Sequence, residues 1–400
     1  MIRPNDAMGE LRLRLARRAV EYAKNGMTAE APGVRHDDVA FFLDPEMYAR
    51  EHQTFFRETP LVACLSNELA EPGAYQVFDD AGVPILVTRG KDGEVRAFLN
   101  VCRHRGARLV RNASGKASRF TCRFHGWTYD AAGKAVGIPE EAQFCDDIDA
   151  QKHLVPCPAE ERHGLVFVQA TPNSTMDLDA HLGAFGEELK TLALGQAVAV
   201  LRDEVSIPSN WKYTLDTYFE TYHLRSLHGV TFGDLFAPLC VFDTWDRHHR
   251  FTFTPLAIYD WVDTPEAEWQ VNLLPLQYFI FPNTVLSVGS VSPSGSTITI
   301  HRLYPRSVGE LTTKIALCAM HGVKSPEHLA EIEASFEKIM YATREEDYSV
   351  TGESYPGLSA LPAKTKLVVG RHEIGVQNFH ENAGRIAGRR SLETKSLAFS

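Results

Sequence analysis

Four residues in two short clusters offer the clearest chemistry in the chain. Cys102 and His104 are separated by Arg103, and Cys122 and His125 by Arg123 and Phe124. Each cluster pairs a soft thiolate with an imidazole. Two such loops brought together can hold one tetrahedral zinc, or a [2Fe-2S] cluster with both cysteines on one iron and both histidines on the other. Spacing alone leaves both open. A second set lies further along: Asp216, Glu220, His223 and His228. At ~100° per residue the first three fall at i, i+4 and i+7, one stripe of a helix. His228 lies roughly 140° further round a continuing helix, so a break is expected near Leu224 to Leu227. Two neutral imidazoles and a carboxylate on one side of an ion leave open positions opposite, the arrangement of oxygen-activating non-haem Fe(II) sites.

The elements that position these groups follow from periodicity. The first set sits in a stretch of short strands from about Glu46 to Ala170. A hairpin spans Tyr75 to Asn100 around Lys91-Asp92-Gly93, a second spans Gly126 to Ile138 around Asp130-Ala131-Ala132-Gly133, and a strand covers Gly164 to Gln169. Helical periodicity then appears at Leu182 to Leu194 and Trp211 to Leu227, with strand patterns at Phe251 to Tyr259, Leu276 to Val288 and Ser296 to Leu303. Ser325-Pro326-Glu327 reads as the start of a long helix, with Ser as N-cap and Pro in the first turn. Its inward stripe of Phe336, Met340 and Thr343 reaches Asp347; Glu345 lies off the stripe, and Glu346 stays a rival because it follows Ile339 by seven residues. The predicted division is residues 1–45 as a helical segment packed on the larger domain, 46–170 as a β domain and 171–400 as an α+β domain. Within the first segment, Met8 to Lys24 is an amphipathic surface helix. Its basic face is interrupted by Glu10 and Glu21, and no signal-peptide apolar core follows.

Composition removes several function classes. Among 400 residues, 41 Lys and Arg are outnumbered by 51 Asp and Glu, for a net charge of -10, which argues against a nucleic-acid surface. No apolar run approaches the ~18 residues of a membrane helix. Seven unevenly spaced cysteines do not make a disulfide framework, so a cytoplasmic protein is expected. Cys64, Cys145, Cys157, Cys240 and Cys318 then read as small buried side chains. With no G-x-G-x-x-G after a strand and no P-loop, NAD(P) or flavin is not expected to bind directly, and electrons must come from a partner. The other histidines, His380 among them, show no ligand spacing.

The runs Asn100-Val101-Cys102-Arg103-His104-Arg105-Gly106-Ala107 and Cys122-Arg123-Phe124-His125-Gly126-Trp127-Thr128-Tyr129-Asp130 resemble the cluster loops of Rieske proteins. They resemble the oxygenase type, because Ala107 and Phe124 stand near where respiratory Rieske subunits carry an extra, disulfide-forming cysteine. With few hydroxyls in these loops, a cluster of lower potential fed by a reductase is expected. The spacing of Asp216, Glu220, His223 and His228 resembles the mononuclear-iron motif of the same enzymes. From about Phe41 to His380 the chain is thus similar to the α subunit, or oxygenase component, of Rieske non-haem iron oxygenases, the aromatic ring-hydroxylating dioxygenase family.

That resemblance implies an α+β fold, an antiparallel β Rieske [2Fe-2S] domain plus a helix-grip catalytic domain with a curved antiparallel sheet and long helices. It implies Cys102, His104, Cys122 and His125 as cluster ligands, and His223, His228 and Asp347 as ligands of a mononuclear Fe(II). Asp347 fits the pattern of an acidic residue before it and a Gly-Leu pair, Gly357-Leu358, after it. Glu220 matches the acidic residue that bridges to a cluster histidine across a subunit boundary, usually Asp in the family; Asp216 and Asn210 stand behind it. Also implied are a homotrimer, a ferredoxin or NAD(P)H-dependent reductase as electron source, and O2 with a small organic substrate. The reaction is then cis-dihydroxylation, or monooxygenation or N-/O-demethylation at the same iron. Phe219, Leu224, Leu227, Phe279, Phe281 and Leu286 are candidate pocket walls with a core reading as the alternative; Arg225, Arg302 and His301 are candidates to receive a substrate carboxylate. A reading from another class is a zinc-stabilised, non-catalytic module whose helix-grip domain holds an apolar ligand.

Overall fold

The computed structural model describes residues 7–144, 148–149, 151–292 and 295–388, so Cys145 lies outside the described residues. The chain divides into two compact units, His52–Val198 and the described parts of Met1–Glu51 with Ala199–Ser400. Among the described residues no helix is long and apolar enough to cross a membrane.

The N-terminal part of the larger unit begins with α1 (Ala7–Asn25), which buries Leu11, Leu15, Ala16, Ala19 and Val20 at helical spacing. Its polar side carries the ion pairs Arg17–Glu266 and Arg18–Asp243. After it come β1 (Arg35–Asp38), α2 (Ala40–Leu43) and α3 (Pro45–Glu51). The carboxylate of Glu51 is buried against Lys212 Nζ, at 2.6 and 2.8 Å, and accepts from Trp211 Nε1 at 3.2 Å, which fastens α3 to the segment that starts at Trp211.

The smaller unit holds β2 (Leu61–Leu65), β3 (Ala74–Phe78), β4 (Ile85–Arg89), β5 (Val95–Leu99), β6 (Ser114–Lys116), β7 (Arg119–Thr121), β8 (Thr128–Asp130), β9 (Ala135–Gly137), β10 (Pro156–Cys157), β11 (Ala159–Arg162) and β12 (Leu165–Val168). They form three antiparallel sheets, ordered β10-β5-β4-β3-β6, β11-β12-β2 and β7-β8-β9. Both predicted hairpins form. Gly93 supplies the left-handed turn between β4 and β5 at φ +85, and Asp130 Oδ1 caps the β8–β9 turn by accepting from the backbone N–H of Ala132 and Lys134. The predicted helix over Leu182 to Leu194 is instead two short ones, α4 (Leu178–Leu182) and α5 (Phe185–Lys190), because Gly183 between them takes φ +50. They also group with the smaller unit, tied in by the Arg162–Asp179 ion pair.

In the larger unit, β13 (Ala197–Ile207), β14 (Phe242–Trp245), β15 (His248–Thr252), β16 (Leu276–Ile280), β17 (Thr284–Ser292), β18 (Gly295–Ser307) and β19 (Glu310–Met320) make one sheet ordered β13-β19-β18-β17-β16-β15-β14. β15 ends at Thr252, short of the predicted Tyr259, and the chain turns there toward α8 (Ile258–Trp261). The run Leu276 to Val288 is a hairpin, not one strand. The remaining elements are α6 (Trp211–Asp216), α7 (Leu224–Leu227), α9 (Pro326–Tyr341), a π-helical turn at Ala342–Asp347, α10 (Tyr348–Ala360), β20 (Lys366–Val369), which pairs with β1, and α11 (Ile374–Ile386). Ser325 caps α9 by accepting from the backbone N–H of His328.

Register sets what one face of this sheet presents. Phe279, Val285, His301 and Ile315 lie in a row across β16 to β19, with Gln277, Ser287 and Thr313 two positions away on the same side. The segment after α6, together with α10 and α11, covers that face. Gln277 Nε2 donates to the carbonyl of Tyr218 at 2.7 Å, the Phe279 ring packs on Phe219 and Phe379, and Thr313 meets the Tyr348 hydroxyl at 2.6 Å.

Candidate functional site

Helix α6 stops at Asp216, and Leu224–Leu227 is itself helical, so the expected break comes earlier, over residues 217–223. Three local contacts draw the chain off the helical path. Gln277 occupies the carbonyl of Tyr218, and Glu220 Oε2 accepts from the backbone N–H of Tyr222 and His223. At Gly375, α11 lies so close that a Cβ there would meet the Phe219 carbonyl oxygen at 2.4 Å. Asp216, Glu220 and His223 therefore do not share a helix stripe. His223 and His228 instead flank the single turn of α7, with ring centroids 5.1 Å apart.

The π-helical turn brings Asp347 to the same point. Its Oδ1 lies 3.5 Å from Nε2 of His223 and 3.3 Å from Nε2 of His228, and the three groups can offer ligand atoms within 4.8 Å of one another. The far nitrogen of each ring is already engaged. His223 Nδ1 contacts Glu220 Oε1, and His228 Nδ1 contacts Glu346 Oε2 at 2.7 Å, an oxygen that also accepts from Thr231 Oγ1 at 2.5 Å. Carboxylates at Nδ1 hold the ring proton there, which leaves the Nε2 lone pairs facing inward, the outer-shell arrangement of metal-bound histidines. Asp347 Oδ1 is buried with no hydrogen-bond partner. Three lone pairs aimed at one point repel unless positive charge sits among them. Burial lowers the proton affinity of His228, but Asp347 and Glu346 outweigh it and raise the pKa, so the surroundings favour positive charge at this point. A divalent metal fits the donor set, and Glu346 is placed to orient His228 from its far side.

Other candidates sit elsewhere. Asp216 faces His380, both of its oxygens 2.9 Å from Nε2, while Nδ1 of His380 lies 3.0 Å from Asp37. His380 had no signal in the sequence, since its partners are far away along the chain. Asn210 is the N-cap of α6; its Oδ1 accepts from the N–H of Lys212 and its Nδ2 donates to the carbonyls of Phe42 and Val308. That occupies the whole amide in holding backbone. Phe219 and Phe279 pack with Phe379 and His249 in one aromatic cluster. Phe281 and Leu286 are fully buried, Leu224 is buried and Leu227 half-buried beside the histidines, while Arg225 is exposed and Arg302 half-buried.

In the smaller unit the two Cys/His loops are built alike. Gly106 N bonds the Cys102 carbonyl at 3.0 Å and Gly126 N the Cys122 carbonyl at 2.9 Å, each glycine at positive φ, while Cys102 N and Cys122 N bond Ala107 and Trp127. Both thiols are buried, and Nδ1 of His104 and Nδ1 of His125 meet at 3.0 Å on the exposed side. The His104 ring stacks on Trp127. Two sulfurs inside and two imidazole nitrogens outside suit a cluster whose irons differ in ligand type. One hydroxyl reaches a cysteine sulfur: Tyr129 accepts from Arg103 N at 3.0 Å, leaving its own hydrogen for Cys102 Sγ at 3.4 Å.

Residues 59–158 match the family model of the Rieske [2Fe-2S] domain, and residues 194–388 that of the ring-hydroxylating alpha subunit catalytic domain. The chain belongs to the Rieske ring-hydroxylating α-subunit family. This Rieske α subunit is 33% identical over 206 residues to the benzene 1,2-dioxygenase subunit alpha of Pseudomonas putida, covering 49% of this chain and 45% of that one. It is 32% identical over 200 residues to the carnitine monooxygenase oxygenase subunit of Acinetobacter baumannii, covering 47% and 51%. The chain thus matches about half the length of these relatives. Its fold resembles a quaternary ammonium Rieske monooxygenase in complex with L-carnitine (TM-score 0.75, 20% identity, 92% and 98% of the chains). It also resembles a Rhodococcus naphthalene 1,2-dioxygenase bound to indole (TM-score 0.73, 19% identity, 94% and 98%). The match over residues 59–158 supports a Rieske [2Fe-2S] domain in place of a zinc-stabilised β module.

Proposed function

We propose that this Rieske α subunit is a terminal oxygenase that uses O2 to hydroxylate a small organic substrate at a mononuclear Fe(II) held by His223, His228 and Asp347. The observation that carries it is the convergence of two inward Nε2 atoms on a buried carboxylate oxygen with no hydrogen-bond donor. When bound, the cluster supplies electrons one at a time and the Fe(II) supplies oxygen activation. The chain's own residues do the positioning. Glu220 and Glu346 keep the Nδ1 protons in place and turn each Nε2 inward, and the π-helical turn sets Asp347 opposite them. Glu220 also serves as the bridge toward a cluster histidine of a neighbouring subunit in a homotrimer, with a ferredoxin or NAD(P)H-dependent reductase as electron source. Six described cysteines without a disulfide support a cytoplasmic setting. Cis-dihydroxylation is the primary reading; monooxygenation or demethylation is the second, favoured by the likeness to the carnitine monooxygenase subunit.

The test is a spectrum and a count on one sample purified under nitrogen. A red-brown protein with about three irons and about two acid-labile sulfides per chain, and a Rieske-type EPR signal on reduction, is expected. A colourless protein carrying zinc and no sulfide overturns the reading.

A further inference from the structure

Residues 217–223 are wedged between the sheet and α11. Gln277 on β16 holds the Tyr218 carbonyl, and the buried Phe219 ring lies 4.6 Å from Phe279 and 4.6 Å from His249 on the sheet side and 5.4 Å from Phe379 on α11, centroid to centroid. The Phe219 carbonyl meets the first turn of α11. A Cβ on Gly375 would stand 2.4 Å from that oxygen, 3.2 Å from the Phe219 Cβ and 3.3 Å from the Phe219 carbonyl carbon. Ordinary contact begins at 3.4 Å, so a methyl group at 375 demands about 1 Å of movement, none of it against the far end of a flexible side chain.

The local backbone does not ask for glycine at this position. Gly375 lies inside α11 without a positive φ, where alanine is the better helix former. Gly352, inside α10, shows the contrast, since a Cβ there meets nothing within 4 Å. What the missing Cβ of Gly375 admits is the carbonyl of the residue just before Glu220. If that space were filled, the segment would have to yield and not its surroundings. Helix α11 is tied down by His380, which bonds Asp37 and Asp216, and by Asn382 and Arg385, which hold the carbonyl and the carboxylate of Asp246. On the other side Phe279 is fully buried, and a close-packed interior passes strain on instead of absorbing it. The same segment carries Glu220, whose oxygens contact Nδ1 of His223 and accept from the backbone N–H of Tyr222 and His223.

We propose that Gly375, with Phe379 one turn further on, positions the metal centre: by lying against Phe219, this face of α11 sets the place from which Glu220 and His223 are presented. This deepens the oxygenase reading and rests on it. A binding constellation has to be held within roughly 0.5 Å of its working geometry, and the ~1 Å displacement that a Cβ imposes four residues before His223 exceeds that.

The test reads metal affinity, not turnover. The full chain keeps its cluster, the mononuclear site is emptied by chelation, and Co(II) is titrated calorimetrically at a temperature where the proteins compared are folded. Gly375→Ala should bind Co(II) at least ~tenfold more weakly than the wild type, while keeping the EPR signal of the cluster and a cooperative thermal transition. Gly352→Ala, the same change in a helix where the Cβ has room, should bind Co(II) as the wild type does. Phe379→Leu, which loosens the Phe219 ring without adding an atom, should also weaken binding, and it decides the matter if Gly375→Ala does not fold. Unchanged affinity in a folded Gly375→Ala, whatever its melting temperature, overturns the proposal, and so does an equal loss in Gly352→Ala. With Gly375→Ala unfolded, unchanged affinity in Phe379→Leu does the same. The two levels stay separate: a wild type that takes up no Co(II) overturns the oxygenase reading and the proposal with it, whereas a wild type that binds Co(II) no better than Gly375→Ala overturns the positioning role alone.

Discussion

Nδ1 of His228 lies 2.7 Å from a carboxylate oxygen of Glu346, and that contact turns the opposite nitrogen of the ring toward Asp347, the very next residue. Adjacent acids thus address one imidazole from two sides. Asp347→Ala should empty the mononuclear site and leave the cluster in place, while Glu346→Gln should keep the site but weaken metal binding about 10–100-fold. Iron analysis and calorimetric titration with Co(II) check both. Full iron retention in Asp347→Ala would make Glu346 the ligand instead.

Glu220 contacts Nδ1 of His223 through one oxygen and holds two backbone N–H groups with the other. Glu220→Gln should leave both centres filled, as read by iron content and EPR, yet lower substrate-dependent turnover by more than about tenfold. Undiminished turnover would remove Glu220 from the electron path.

His380, fixed between Asp37 and Asp216, sets an alkaline limit on stability. Burial works against its charge, but the two carboxylates outweigh it and raise the pKa from 6.5 to about 9. The stabilisation is therefore complete below pH 6.5 and is lost as pH rises through about 9. Asp216, pushed by burial up to about 6, offsets part of it as pH rises from 3.8 through that value. His380→Gln should cost on the order of 2 kcal/mol near neutrality and flatten the decline above pH 6.5. Thermal midpoints across that range, wild type against variant, decide it; an equally steep alkaline decline in the variant would assign that limit to other groups.

The pair Lys212–Glu51 is buried on both sides. Removing one partner strands the other charge, so Lys212→Met should destabilise the protein by about 3–5 kcal/mol, and the double variant with Glu51→Leu should recover much of that loss. Urea unfolding of the three proteins measures it. A double variant as unstable as Lys212→Met would show that packing, not the stranded charge, sets the cost.

Reading the chain without coordinates works best where chemistry is local. The two Cys/His loops, their glycines, both hairpin turns and the Ser325 cap are visible because each is a short run whose residue types have few other uses. The stretch from Trp211 to Leu227 is legible in residue identity and not in shape. Of the three contacts that draw the chain off the helical path after Asp216, only that of Glu220 lies in this stretch; the side chain on β16 and the close approach by α11 leave no trace in it. The same holds for the Asp37–His380–Asp216 contact, joined from three distant segments, and for Glu346, whose orienting role depends on a turn that helical periodicity at ~100° does not anticipate.

That π-helical turn makes the metal centre a matter of counting as well as composition. A π-turn carries about one residue more than the α-turn it replaces. Deleting a single residue between Ala342 and Glu345 would let the run close as an ordinary α-helix and swing one end against the other by ~100°. Every side chain of the centre would still be encoded, yet Glu346 and Asp347 could no longer both reach His228. Among relatives, a one-residue gap at this point is therefore a more telling mark of a lost metal site than many substitutions around it.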